Sequence, residues 1–266
     1  MRRVACLSAA LALAFSALGS AQRTLPPGPP PGRLIDVAGV SFHIHCVGPT
    51  GGPTVILDAG AGDYSNRWSA VQDLLAPRIR SCAYDRAGLG WSGGTQHESI
   101  AQDNDDLHAL LTAASVSGPY VLVGHSLGAL MVRRYFSRFP DGVVGMVLVG
   151  SAHENTQLFD LRANQWVRMR EQASPMGADF REIYEARQTT PVPLGNRPLA
   201  VVIGTRPDPN IPDHIKPEKA AEQEDLLGLS NNSKMVRDPS SGHHVHVENP
   251  GLVAKAIADV VDASRR

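Results

Sequence analysis

The chain has 266 residues, of which 42% are hydrophobic, so it is long and apolar enough to bury the core of one sizeable domain. Its formal net charge is −1 at pH 7 and no basic stripe is visible, which argues against nucleic acid as a partner. Aromatic residues make up 5% of the chain, too few for a broad surface that stacks on sugars or bases.

The N-terminus has the pattern of a secretory signal peptide. Two arginines follow the first methionine, residues 7–18 form an apolar stretch, and residues 19–21 are small. The apolar stretch is short for a membrane anchor, which needs about 20 residues. We therefore predict a signal peptide over residues 1–21 and export to a periplasm or to the outside.

A proline-rich segment, residues 22–33, follows the predicted cleavage site. Closely spaced prolines exclude a helix or a central strand, so this segment is predicted to be a stiff tether. The folded domain is predicted over residues 34–266. Since no later segment is long and apolar enough to cross a bilayer, we expect no stable membrane span after cleavage.

Beyond the tether, short apolar strands alternate with helices. The predicted strands span residues 34–37, 40–47, 54–58, 80–84, 120–123, 146–149, 199–203 and 233–237. The predicted helices span residues 66–76, 99–114, 129–136, 216–229 and 249–263. Short, continuous apolar strands are typical of strands buried on both faces. The pattern predicts an α/β fold, with a mostly parallel sheet and helices on both of its faces.

The alternation breaks over residues 153–197, where a polar, helix-leaning stretch separates two predicted strands. An insertion of this length is either an ordered lid or a disordered loop. Large apolar residues within it favour a folded segment: Trp166, Met169, Phe180 and Tyr184. We predict a short helical lid.

The sequence Gly-His-Ser-Leu-Gly at residues 124–128 stands between a predicted strand and a predicted helix. A serine between two glycines at such a junction is typical of a nucleophile elbow, because the tight turn needs small flanking residues. The N-terminus of the following helix directs N–H groups toward developing negative charge. We predict that Ser126 is the nucleophile and that Leu127 donates its N–H to the oxyanion.

A serine nucleophile needs a general base. His243 is the predicted base, because it follows the last predicted strand, and loops at that end of a parallel sheet carry working residues. His244 takes this role if the loop is shifted by one residue. His125 belongs to the elbow and is predicted to be a neighbour of the serine. Together with His246, the loop histidines lack a supporting acidic motif, so no metal site is predicted.

The base in turn needs an acid that orients it. Asp208 is the predicted acid, since it lies in the loop after the strand at residues 199–203 and precedes His243 in the chain. Asp213 in the same loop and Glu154 after an earlier strand are the alternatives. The second oxyanion donor is predicted to be the N–H of Ala61, in the small-residue loop that follows the strand at residues 54–58.

Together these features resemble the α/β-hydrolase family, and the resemblance extends from residue 34 to the C-terminus. Four matches carry it: the loop at 58–62, the Tyr-Asp-Arg-Ala-Gly-Leu-Gly-Trp-Ser stretch at 84–92, the elbow at 124–128, and Gly242-His243. Ser126, Asp208 and His243 follow the family's chain order of nucleophile, acid and histidine.

The resemblance also has consequences outside the triad. In the family the second and fourth strands are neighbours, which would bring Cys46 next to Cys82 and implies a disulfide. Two positions depart from the family pattern. Ala59-Gly60 stands where many members have His-Gly, and Gly204 and Asp208 are one residue further apart than in the usual G-x-x-D.

The main hypothesis is an exported serine hydrolase that cleaves carboxylic esters through an acyl-enzyme on Ser126. An aminopeptidase of the proline-iminopeptidase type is the alternative enzyme; it would need a lid carboxylate such as Glu171, Glu182 or Glu185, and Leu127 stands where that group often has Trp. A non-catalytic binding protein on the same fold is the alternative outside enzymes. The expected partner is a small ester or amide, with no cofactor. The sequence does not specify the natural substrate or the oligomeric state.

Overall fold

The structure is a computed structural model that describes residue 26 and residues 28–160, 164–190, 192–209 and 211–266. The predicted signal peptide, residues 1–21, lies outside the described residues, as does the first part of the tether. Among the helices of the described residues, none has both the length and the apolar character to span a bilayer.

One eight-stranded sheet forms the centre of the domain, with the strand order β1-β2-β4-β3-β5-β6-β9-β10. The strands of the described chain are β1 (Arg33–Val37), β2 (Val40–Val47), β3 (Thr54–Asp58), β4 (Ser81–Tyr84), β5 (Tyr120–His125), β6 (Val143–Val149), β7 (Gln157–Asp160), β8 (Gln165–Arg168), β9 (Leu199–Gly204) and β10 (Ser233–Asp238). The β1–β2 and β2–β4 pairs are antiparallel, and the other neighbours in this sheet are parallel. The predicted α/β-hydrolase fold is confirmed.

Helices cover both faces of this sheet. They are α1 (Ser69–Leu75), α2 (Ile100–Ala113), α3 (Leu127–Arg138), α4 (Pro175–Thr189), α5 (Lys216–Asp225), α6 (Val245–Glu248) and α7 (Pro250–Ala263). Strand β3 shows why its sequence is a continuous apolar run. Val55 and Leu57 pack into one core cluster with α1 and α7, whereas Ile56 packs into the other with α2 and α3. Both faces are therefore buried, as the strand pattern predicted.

Three local differences separate the predicted helices from the observed ones. The first predicted helix starts as a 3₁₀ turn over Ser65–Trp68, and the helix predicted over residues 216–229 ends as a 3₁₀ turn over Leu226–Leu229. The short helix α6 was not predicted. Such turns are common at helix ends, where the last backbone groups lack α-helical partners.

The insertion at residues 153–197 contains the predicted helix, α4, and also a hairpin of β7 and β8 that the sequence pattern did not indicate. The apolar side of α4 packs on α2 and α3 through Met176, Phe180 and Ile183. The buried Asp179 carboxylate accepts a hydrogen bond from the Ile100 backbone N–H at 2.6 Å, at the start of α2. The insertion is thus a folded lid fastened to the core.

A disulfide joins Cys46 to Cys82, as the resemblance implied. The two residues are direct cross-strand partners on β2 and β4. The bond therefore crosslinks the antiparallel edge of the sheet to the first of its parallel strands.

We expect the double variant Cys46→Ala/Cys82→Ala to lose about 2–4 kcal/mol of unfolding free energy, because the crosslink closes a loop with a sequence separation of 36. Urea denaturation with and without reductant measures this loss. Reductant should shift the midpoint of the wild type toward that of the variant and leave the variant unchanged. A reduced wild type with free thiols and an unchanged midpoint would contradict this prediction.

Candidate active site

Ser126 occupies a strained turn between β5 and α3. Its backbone has φ 53° and ψ −118°, in a region that residues with a side chain rarely adopt. Neighbouring backbone holds the turn: the Ser126 N–H donates to the Val149 carbonyl at 3.0 Å, and the Ser126 carbonyl accepts from the Ala152 N–H at 3.1 Å. This is the geometry of a nucleophile elbow, which presents a side chain at the C-terminal edge of a sheet.

Packing explains why glycines flank the serine. A Cβ atom on Gly124 would overlap the Gly128 carbonyl, in the first turn of the following helix. A Cβ atom on Gly128 would lie 2.6 Å from the carbonyl oxygens of Asp58 and Ala59. Helix α3 can therefore approach β3 and its loop only because both positions lack a side chain.

The small-residue loop after β3 lies against the nucleophile. A Cβ atom on Gly60 would be 3.5 Å from the Ser126 Cβ atom and 3.0 Å from His125 Nδ1. The loop is held from behind by Arg86, which donates to the carbonyls of Ala59 at 2.8 Å and Gly60 at 2.6 Å. In a trans peptide the C=O and N–H point in opposite directions. Because Arg86 binds the Gly60 carbonyl, the next N–H, that of Ala61, points away from Arg86.

Arg86 is itself buried and forms an ion pair with the buried carboxylate of Asp58. Tyr84 donates a hydrogen bond to the second carboxylate oxygen at 2.6 Å. Burial raises the pKa of Asp58, while the positive charge of Arg86 and the bond from Tyr84 lower it. Arg86 lies in the family-like stretch at residues 84–92, but no role was predicted for it from the sequence. The signal that could have revealed this ion pair was an acidic and a basic residue at the ends of two neighbouring strands, β3 and β4.

The loop after β10 brings His243 beside the elbow. The His125 and His243 rings have centroids 4.8 Å apart, and His125 Nε2 is 3.1 Å from the His243 carbonyl oxygen. His243 Nδ1 lies close to Gly150, at the end of β6. Partial desolvation lowers the pKa of His243, and so does the positive charge of Lys219. The imidazole is therefore neutral at pH 7, as a general base must be.

The three carboxylates considered as the acid have different surroundings. Asp208 lies in the loop after β9, close enough for its charge to raise the pKa of His243. The Asp213 side chain is 97% exposed and pairs with Lys216 at 2.7 Å. The role of Asp208 as the orienting acid stays a prediction.

Glu154 forms ion pairs with two arginines. It is buried between Arg133 on α3, at 2.8 Å, and Arg187 on the lid helix, at 2.6 Å. Although burial opposes ionisation, the two guanidinium groups and His153 hold the pKa of Glu154 well below its usual range. Glu154 therefore connects the lid to the helix that follows the nucleophile.

These features agree with the comparison to known families. The profile of the family described as "alpha/beta hydrolase fold" matches residues 53–200, more than half of the 266 residues. The chain belongs to the α/β-hydrolase fold family. It is also 29% identical over 239 residues to the uncharacterised protein YqjL of Bacillus subtilis (strain 168), a match that covers 86% of this chain and 91% of YqjL.

Solved structures show the same fold. A bacterial membrane phospholipase A described as a virulence factor is similar with a TM-score of 0.66 and 18% identity, covering 88% of this chain and 86% of that one. A thermophilic esterase from Thermogutta terrifontis is similar with a TM-score of 0.63 and 18% identity, covering 88% of this chain and 97% of that one. At these identities the likeness concerns the fold.

We expect Arg86→Met to lower the free energy of unfolding by about 3–5 kcal/mol, because it leaves the Asp58 carboxylate buried without its counter-charge. The loss should be larger at pH 8 than at pH 5. The unfolded carboxyl ionises near pH 4, whereas burial delays ionisation in the folded variant, so rising pH favours the unfolded chain. Urea denaturation at both pH values measures the effect.

The double variant Asp58→Asn/Arg86→Met is the matched control for this charge effect. It should recover part of the lost stability and should lose the added pH dependence, since no buried carboxylate remains. If the single and double variants have the same stability at pH 8, the ion pair does not fasten this loop.

Proposed function

We propose that the chain is an exported serine hydrolase that cleaves carboxylic esters through an acyl-enzyme on Ser126. The observation that carries this proposal is the strained backbone of Ser126, held at a strand–helix junction against a glycine loop. Strain of this kind persists where the surroundings enforce it and is concentrated at functional sites. Membership of the α/β-hydrolase fold family and the fold shared with an esterase and a phospholipase support the same class of reaction.

In the proposed reaction, Ser126 Oγ attacks the ester carbonyl carbon while neutral His243 takes the hydroxyl proton. The carbonyl oxygen becomes an oxyanion that accepts hydrogen bonds from the N–H groups of Leu127 and Ala61. Leu127 is suited to this because the first N–H groups of a helix have no partner within the helix. His243 then returns the proton to the leaving alcohol. Water attacks the acyl-enzyme in the same way and releases the acid.

Asp208 orients the His243 ring in this proposal and stabilises the imidazolium that forms during each proton transfer. Burial lowers the pKa of His243, and the charge of Asp208 opposes this shift, as does that of Asp63. Export is supported by the apolar stretch at residues 7–18 and by the Cys46–Cys82 disulfide, because disulfides persist mainly in oxidising compartments.

Ester cleavage is favoured over aminopeptidase activity by the lid. A substrate amine would need a lid carboxylate to bind it, and Glu182 already pairs with Arg134 at 2.5 Å. Glu171 lies within 4 Å of two arginines, Arg168 and Arg170. These contacts tie Glu171 and Glu182 to cations of the protein itself.

A fluorophosphonate probe should label the wild-type protein covalently and should not label Ser126→Ala, because the probe reacts with an activated serine hydroxyl. Intact-protein mass spectrometry measures the labelling. Ser137→Ala, which removes an exposed serine from the same helix, is the matched control and should label at the wild-type rate. Folded wild-type protein that fails to react would rule out a serine hydrolase and favour a binding protein.

Asp208→Asn should lower kcat for p-nitrophenyl acetate by about 10³–10⁴-fold, because the imidazole loses its orienting charge while its hydrogen-bonding shape is kept. Asp213→Asn, a change at an exposed acid of the same loop, should turn over at nearly the wild-type rate. If Asp208→Asn is nearly as active as wild type, Asp208 is not the orienting acid.

A further inference from the structure

Three polar side chains from separate parts of the chain meet beside the nucleophile. Asp63 comes from the loop after β3, His125 from the end of β5, and His244 from the loop after β10. One potential ligand atom from each residue lies within 4.8 Å of those of the other two. The sequence pattern did not reveal this group, because its members are far apart in the chain.

His125 is the best-ordered member of the group. Its side chain is 1% exposed, and its Nε2 atom is 3.1 Å from the His243 carbonyl oxygen. A neutral imidazole that donates Nε2–H to a carbonyl has its lone pair on Nδ1, the arrangement that orients histidines toward metal ions. Among the described residues, no hydrogen-bond partner is found for this buried Nδ1 atom.

The His125 Nδ1 atom faces the loop after β3. A Cβ atom on Gly60 would lie 3.0 Å from it, so this nitrogen lies against the loop that continues to Asp63. The buried His244 Nδ1 likewise has no hydrogen-bond partner within the described part of the chain. Asp63 accepts a bond from Arg67 through Oδ1 at 2.8 Å, and its carboxylate has a second oxygen to offer.

The donor set and the spacing fit zinc. Two imidazoles and one carboxylate are typical zinc ligands, whereas magnesium and calcium prefer oxygen alone. Tetrahedral zinc bonds of about 2.0–2.1 Å place ligand atoms roughly 3.4 Å apart. Closing from 4.8 Å requires shifts of about 1.5 Å, which rotation of the half-buried Asp63 and His244 side chains supplies.

A second group of this kind has a different explanation. One potential ligand atom from each of His153, Glu154 and Asp225 also lies within 4.8 Å of the others. Arg187 reaches into this group and pairs with both Glu154 and Asp225. A guanidinium already supplies the positive charge there, so this second group is an ion-pair network.

We propose that Asp63, His125 and His244 bind one zinc ion next to Ser126, and that the bound ion inhibits the hydrolase reversibly. The ion would draw Asp63 inward and shift the loop that holds the Ala61 N–H. The inhibitory part rests on the proposed function, whereas the binding part does not.

Isothermal titration of wild-type protein without a histidine tag with zinc chloride at pH 7.5 tests binding directly. We expect one site, with affinity reduced at least roughly 10–100-fold in Asp63→Asn and in His244→Gln. His97→Gln removes a surface histidine paired with Asp106 and should bind zinc like the wild type. Absent binding, or equal binding in all variants, would overturn the site.

The rate of fluorophosphonate labelling of Ser126, with and without zinc, tests inhibition. Zinc should slow labelling of the wild type, and EDTA should restore it. In His244→Gln, the ratio of the two rates should approach one. Zinc that binds but leaves the wild-type rate unchanged or raises it would overturn inhibition. Zinc binding in a protein that the probe never labels would sink the proposed function while supporting the metal site.

Discussion

The turn at Ser126 depends on how closely helix α3 can approach the sheet. A residue with a side chain at φ 53° costs about 1–3 kcal/mol of backbone strain, which the rest of the fold must offset. Backbone hydrogen bonds to Val149 and Ala152 hold the turn from one side. The glycines on either side of Ser126 let the helix and the β3 loop come into contact. Strain, close packing and small residues are therefore parts of one constraint.

The same constraint extends to the Asp58–Arg86 pair. Because Gly128 packs on the carbonyls of Asp58 and Ala59, the β3 loop has to be rigid to support the elbow. Arg86 supplies that rigidity by binding the carboxylate of Asp58 and the carbonyls of Ala59 and Gly60. A planar guanidinium can bind several acceptors at fixed angles, which the flexible ammonium of lysine cannot. The charge pair thus contributes directional support to the loop in addition to attraction.

Much of the fold could be predicted because its signals are local. The run at residues 54–58 reads as a doubly buried strand, and Gly-His-Ser-Leu-Gly reads as an elbow, because each pattern reflects its own immediate geometry. The Cys46–Cys82 bond required strand order, which came from the resemblance. The contacts of Arg86 and the grouping of Asp63 with two histidines could not be predicted, since they join distant segments of the chain. The β7–β8 hairpin was missed because a short, half-exposed strand pair has no strong period.

The choice of the acid that orients His243 likewise depends on contacts between distant segments. Asp208, Asp213 and Glu154 all follow predicted strands, and sequence distance alone does not separate them. Their side-chain surroundings differ: Asp213 faces a lysine in solvent, Glu154 is enclosed by arginines, and the charge of Asp208 opposes the lowering of the His243 pKa. The electrostatic environment of a carboxylate is a property of the folded chain, so its role can be inferred only when its neighbours are known.

The lid is attached to α3 by two consecutive residues, Arg133 and Arg134. Consecutive helical side chains diverge by about 100°, so Arg133 pairs with Glu154 on one flank while Arg134 pairs with Asp179 and Glu182 of α4 on the other. Lifting α4 would expose buried charges on both flanks at once, which makes such a motion costly. We therefore expect α4 to stay in place on α3 as a fixed part of the domain.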